Sequence, residues 1–258
     1  MKNILLVLAY DGSPFLGWQK TRYGKSIEET LQNALEKIFQ EPITLQAASR
    51  TDAKVHAKGQ IVNFFIHQKF SYIPELQYKL NSLLPKELCV LHVEEKPLSF
   101  HPTLDPVSKE YHYYLCTTKN LFPSTLPYVW HYPNTIDFPL MQKAFPILLG
   151  THDFSSFTNK KPKNAICSLY RIEIFPEKNH IYRIEIEGNR FLYNMMRILV
   201  GTLANIGSGK IQIDALPLIL QNHQRKYSGI TAPPHGLFLA KVSYPTFAFD
   251  KRYVNPLL

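Results

Sequence analysis

Cysteine is scarce in this chain. The three cysteines, Cys89, Cys116 and Cys167, are far apart and odd in number. That excludes a disulfide framework and a CxxC zinc pattern. Their apolar, strand-like surroundings predict buried, reduced thiols. Long apolar runs are missing too. The run in MKNILLVLAYDGS is about seven residues, too short to cross a membrane, and a turn signal ends it. It lacks a small-residue cleavage site, so a buried strand is expected there rather than a signal peptide. The expected compartment is reducing, the cytoplasm, with no membrane partner. HExxH is absent, and the ten histidines are scattered without ligand spacing, so no metal is expected. Neither GxSxG nor the HxE and PCxxC pair of zinc deaminases occurs. NIGSGKI (205–211) fails as a phosphate loop, because Ala204 replaces the first glycine and Ile211 the Ser or Thr. It reads as a turn that ends a helix. No cofactor motif remains, and no cofactor is expected.

Acidic residues are also in short supply. Asp plus Glu number 20 against 29 Lys plus Arg, a formal net charge of +9. A polyanion is the expected partner, nucleic acid first, because cations on phosphates release counterions. Hydrophobic residues at 45% and charged residues at 19% specify a packed globular chain. A length of 258 residues allows one large domain or two ordinary ones.

NILLVLAY (3–10) reads as a buried strand, broken at Asp11-Gly12-Ser13-Pro14. Ser26 opens a helix with Glu29 at capping-box spacing. Ile27, Leu31, Ala34, Leu35 and Ile38 share its apolar face. ITLQAA (43–48) and QIVNFFI (60–66) read as strands two and three. A helix through Leu76, Leu80, Leu83 and Leu84 stops before Pro85, and LCVLHVEE (88–95) is strand four. Strand–helix–strand–strand–helix–strand is the split βαβ order of a ferredoxin-like unit. Pro97, Pro102 and Pro106 mark a boundary. The expected domains are therefore 1–105 and 106–258. In the second, SKEYHYYLCTT (108–118) reads as a strand, 119–139 as an ordered loop, 138–149 as a helix, and 151–164 as a loop with Lys160, Lys161 and Lys163 clustered. ICSLYRIEIF and IYRIEIEG form a hairpin. NRFLYNMMRILVGTLANIG (189–207) reads as one helix with Leu192, Met195, Leu199 and Leu203 as its apolar stripe. Arg190, Asn194 and Arg197 fall on another face. A short helix after Asp214 and the strand LFLAKVSY (237–244) complete the pattern.

The loop between strands two and three lies within ASRTDAKVHAKGQIVNF (48–64). One carboxylate, Asp52, sits between Arg50 and Lys54, with His56 and Lys58 just beyond. Nearby positive charge favours an ionised carboxylate, a good state for a nucleophile or base. The same residue type is common in turns and helix caps. A rigid scaffold of two strongly patterned strands favours the functional reading.

SRTDAKVHA resembles the catalytic signature of the bacterial tRNA pseudouridine synthase A family, usually GRTDAGVHA. LAYDGSPFLGWQ, SKEYHYYL, GNRFLYNMMRILVG and TAPPHGLFL resemble four further motifs of that family, in the same order. Ser49 and Lys54 depart from the pattern, standing where the family usually has glycine. Glycine there would permit positive φ; Lys54 instead offers a phosphate contact.

The resemblance implies an α+β fold of two ferredoxin-like, RRM-like halves with mainly antiparallel sheets, joined around a central catalytic cleft. It implies isomerisation of uridine to pseudouridine at positions 38, 39 and 40 of the tRNA anticodon arm, without cofactor, by a homodimer. It makes Asp52 the essential carboxylate, attacking C1′ or C6 as nucleophile or removing the ribose 2′ proton. Arg197 matches the arginine that pairs with that carboxylate, a task suited to a bidentate fork. Tyr111 matches the tyrosine that stacks on the target base and helps remove the C5 proton. Leu237 matches an apolar pocket residue. Arg50 is expected at the pocket mouth. Lys54 and Lys58 are expected on the substrate backbone, as are Lys109, Lys160, Lys161 and Lys163.

The alternative from a different class is a non-catalytic RNA-binding module. KGQIVNFF (58–65) shares the KG start and a late Phe with the RRM signature but misses its internal aromatics. An acid in the cationic loop would repel phosphate, which argues for chemistry.

Overall fold

In a computed structural model of the chain, residues 1–67 and 73–245 are described. In chain order the strands are β1 (Lys2–Tyr10), β2 (Gln46–Ala47), β3 (His56–Ile66), β4 (Leu88–Lys96), β5 (Ser108–Cys116), β6 (Trp130–His131), β7 (Gly150–Asp153), β8 (Ile166–Pro176), β9 (Ile181–Gly188) and β10 (Leu237–Ser243). The α-helices are α1 (Ile27–Phe39), α2 (Ile73–Leu83), α3 (Phe138–Lys143), α4 (Phe145–Leu148), α5 (Met195–Gly207) and α6 (Leu216–Asn222). The fold is mixed α and β with mostly antiparallel pairing, as expected. Contacts divide it into two units. One contains Met1–Val107 together with residues 238–245, and the other contains Ser108–Leu237.

In the first unit β1 pairs antiparallel with both β3 and β4, and β2 pairs antiparallel with β3. The order β4–β1–β3–β2 with helices after β1 and β3 is the split βαβ arrangement read from the pattern. β2 is much shorter than the 43–48 run. β3 is longer than its run and begins at His56, so His56 and Lys58 belong to the strand rather than to the loop. Leu5, Leu6, Val7 and Leu8 have no exposed surface, because β1 is central and covered on both faces. Ser26 caps α1 as its spacing predicts, its Oγ accepting the Glu29 N–H at 3.3 Å. Cys89 corrects an expectation: it is exposed on β4, whereas Cys116 and Cys167 are buried. Cys89 alternates with the buried Leu88 and Val90, and strand alternation turns it outward.

The C-terminal strand also departs from the 106–258 division. From Phe238 it belongs to the first unit, where β10 pairs parallel with β3 through Phe238↔His56 and Leu239↔Ala57. Sequence distance gives no signal of such a return.

In the second unit β5, β9, β8 and β7 pair antiparallel in that order, and β6 adds parallel to β5. Two helix readings need correction here. The expected 138–149 helix is split into α3 and α4, since Pro146 lacks the N–H that would continue the ladder. The expected 189–207 helix begins only at Met195, after Asn194 at φ 59°. Asn tolerates this left-handed conformation, which turns the chain sharply into the helix. Arg190 and Leu192 therefore precede α5, and the three-residue polar face does not exist. Every α5 residue except Arg197 is buried, as for a helix surrounded by its unit. At its end, Gly209 N–H donates to Ile206 O and Lys210 N–H to Asn205 O, with Gly209 at φ 74°. This is a Schellman turn, the reading preferred for NIGSGKI over a phosphate loop.

Candidate active site

In the first unit, residues 48–55 leave β2, form a loop and enter β3. The segment 10–18 is wrapped around them. Trp18 N–H donates to Thr51 O at 3.0 Å, and Lys54 N–H donates to Phe15 O at 3.3 Å. Gly12 N–H donates to Nδ1 of the buried His56 at 3.0 Å. Two glycines permit this close approach. A Cβ on Gly12 would lie 2.0 Å from Val55 O, and one on Gly17, itself at φ 95°, 2.7 Å from Thr51 O. Both distances forbid a side chain. Below the loop, Tyr10 Oη lies 2.8 Å from Thr51 Oγ1.

Asp52 thus stands on a loop pinned from both sides, and it is half-buried between the exposed cations Arg50 and Lys54. Lys54 takes φ 64°, so the left-handed conformation expected of a glycine there is present with a lysine in it. Lys58, half-buried on β3, places Nζ 5.2 Å over the Phe238 ring, and Phe238 stacks on His56 at 4.5 Å. In KGQIVNFF the Phe in register with the end of the RRM signature is Phe65, which is half-buried on β3, while its neighbour Phe64 faces the core. That ring is fully buried and packs 5.8 Å from Phe39.

In the second unit, Tyr111 is a buried residue of β5, in edge contact with Phe191 at 5.1 Å. Arg197 lies in the first turn of α5. Its Nε donates to Ala232 O at 2.7 Å and its Nη1 to Asn194 Oδ1 at 3.1 Å. The segment 229–237 ties that turn to β5. Ala232 N–H donates to Arg197 O at 3.1 Å. Tyr113 Oη donates to Pro233 O at 2.8 Å. Burial holds the Tyr113 phenol well above its ordinary range, which keeps it a donor. A Cβ on Gly236 would meet Tyr114 O at 2.8 Å, so this glycine lets the segment press on β5 just before the buried Leu237. Arg197, Leu237 and the β5 strand of Tyr111 are in this way linked within one unit.

Lys109 lies two residues before Tyr111 and therefore on the same face of β5. Burial, with help from the nearby Arg190, lowers its pKa to about 8. Lys160, Lys161 and Lys163 are exposed, and Lys160 sits 4.4 Å over the Tyr193 ring. Among the described residues, Glu110, His112 and Glu185 bring potential metal-ligand atoms within 4.8 Å of one another. Guanidinium groups already occupy that cluster: Arg171 binds Glu110, Glu173 and Glu185, and Arg183 binds Glu177 and Glu185. It is an ion-pair network across β5, β8 and β9.

Sequence reasoning missed Tyr10, Gly17, His56 and Gln60 as parts of the loop's support. Gln60 did carry a signal, as a polar residue inside an otherwise apolar strand.

Asp52 thus stands on a pinned loop of the first unit, and Arg197 and the buried Tyr111 belong to the second. The chain matches the tRNA pseudouridine synthase family over residues 6–105 and 144–245. The first stretch contains Asp52 and the second Arg197 and Leu237, with Tyr111 between them. The "tRNA pseudouridine synthase A 2" of Protochlamydia amoebophila is 48% identical over 250 residues, 95% of this chain and 95% of that protein. The "tRNA pseudouridine synthase A 1" of the same organism is 39% identical, covering 93% of this chain and 95% of its own length. The "tRNA pseudouridine synthase A" of a Thermoanaerobacter species is 40% identical, over 95% of this chain and all of that protein. The chain belongs to the tRNA pseudouridine synthase family and is an isomerase acting on tRNA.

Proposed function

We propose that the chain converts uridine to pseudouridine at positions 38, 39 and 40 of the tRNA anticodon arm, with Asp52 as the catalytic carboxylate. The observation that carries this reading is Asp52 itself, half-buried on a loop whose main chain is clamped by residues 10–18. In the reaction the N1–C1′ bond breaks, the uracil turns over and C5 bonds to C1′. The C5 hydrogen leaves as a proton and N1 gains one, so no redox partner is needed. Asp52 acts as nucleophile at C1′ or C6, or removes the 2′ proton. Each route needs an ionised, positioned carboxylate.

Arg197 orients Asp52 through its bidentate fork. The chain's own bonds support that role: Ala232 O and Asn194 Oδ1 hold part of the guanidinium in place. Tyr111 stacks on the uracil and assists loss of the C5 proton, and Leu237 contributes apolar wall. Arg50 stands at the pocket mouth, where it compensates for extrusion of the target nucleotide, a cost of a few kcal/mol. Lys54 and Lys58 contact the RNA backbone. The working form is a cytoplasmic homodimer with tRNA across both subunits.

Release of tritium from tRNA carrying [5-³H]uridine tests the reading, with wild type beside Asp52→Asn. Release by wild type alone is the expected result. No release by either protein while tRNA remains bound overturns it. Transcripts with C at 38, 39 or 40 map the sites, and sedimentation at working concentration tests the dimer.

A further inference from the structure

On the reading of Asp52 as the reacting carboxylate, we propose that Gln60 is the positioning residue of its loop. Its buried side-chain amide holds the main chain of Ser49 from both ends and, with Tyr10, sets Thr51. The ladder of β2 on β3 runs Gln46↔Asn63 and Ala47↔Val62, and Ala48 N–H still donates to Ile61 O at 2.8 Å. The next rung would set the main chain of Ser49 against that of Gln60. There the Gln60 side chain takes over. Ser49 N–H donates to Gln60 Oε1 at 3.3 Å, and Gln60 Nε2 donates to Ser49 O at 2.6 Å.

This amide-to-amide pair lets the chain leave the sheet by the length of a side chain without stranding its polar groups. Gln60 Nε2 also lies 3.5 Å from Tyr10 Oη, which is 2.8 Å from Thr51 Oγ1. Gln60 is 0% exposed, Tyr10 4% and Thr51 7%, so solvent does not substitute for these partners. The bonds end on Thr51, the residue directly before Asp52. A shift of about 1 Å at a catalytic group costs on the order of 100-fold in rate.

The test uses the full chain with a tRNA transcript and four proteins: wild type, Gln60→Leu, Gln60→Glu and Asp52→Asn. Tritium release gives kcat, filter binding gives the tRNA Kd, and melting monitors the fold. Gln60→Leu is expected to lower kcat about 10- to 100-fold while the tRNA Kd moves less than about threefold. Gln60→Glu supplies a readout that a merely structural role would not move. A neutral carboxylic acid can donate and accept as the amide does; a carboxylate cannot donate to Ser49 O. Among the described contacts of Gln60, the Tyr10 phenol is a titratable neighbour. The ratio of Gln60→Glu to wild-type kcat is therefore expected to rise as pH is lowered from about 8 to about 5.5. Taking the ratio cancels titrations that the two proteins share. An unchanged kcat in Gln60→Leu, or a pH-independent ratio, overturns the proposal. Those results with an inert Asp52→Asn would sink Gln60 alone. Wild-type turnover by Asp52→Asn would instead sink the reading of Asp52.

Discussion

Lys54 occupies the left-handed region at φ 64°, is exposed, and donates its N–H to Phe15 O. A residue with a Cβ in that conformation costs about 1–2 kcal/mol, which glycine escapes. Glycine in turn loses about 0.5–1 kcal/mol more chain entropy on folding. Lys54→Ala keeps the Cβ and removes the charge; Lys54→Gly removes both. The difference between the two variants isolates the backbone contribution, with a net expectation of about 0.5–1 kcal/mol in favour of glycine. At about 2–4 °C per kcal/mol for a chain of this size, Lys54→Gly should melt about 1–4 °C above Lys54→Ala. Thermal unfolding at about 0.15 M salt reads this with surface charge effects damped. Both variants should lose tRNA affinity equally if the side chain serves only as a phosphate contact. A Gly variant that melts at or below the Ala variant would refute the claim that this loop stores left-handed strain.

Other expectations follow from single contacts. Ser26→Ala removes the cap on the Glu29 N–H and should cost about 1 kcal/mol, seen as a lower melting temperature. Gly201→Ala places a Cβ 1.9 Å from Ile230 O, on the segment that carries Ala232 to Arg197; melting temperature and tritium release should both fall, and unchanged values would show that the segment yields freely. Lys109 has a folded pKa of about 8 against an ordinary 10.5, so the folded state bears the cost of burying its charge below pH 8 and sheds it as pH rises to 10.5. Lys109→Met should therefore melt above wild type at pH 7, with the gap closing toward pH 10; a gap that widens with pH would contradict the sign.

The apolar spacing of α1, its Ser26 cap, the four-strand order of the first unit and the turn at Gly209 were all legible because each depends on neighbours a few residues away. Five motifs in the right order were enough to name the family. The cationic loop around Asp52 was visible as a string, and so was its departure from glycine at Lys54. What the string lacks is the partner at long range. Asn194 ends one conformation and starts a helix only because the chain must turn into a buried α5, so the apolar stripe through Leu192 overran the true start. Pro146 broke a helix that its apolar neighbours alone would have continued. Cys89 faces outward because of strand alternation on β4, not because of its composition. The wrapping of residues 10–18 over 51–56 and the Gln60 bonds to Ser49 join parts of the chain that sequence keeps apart. Local chemistry, written in propensity and spacing, was determined by the sequence as read. The support beneath Asp52 was decided only by tertiary packing, because buried polar groups must find partners wherever the fold brings them.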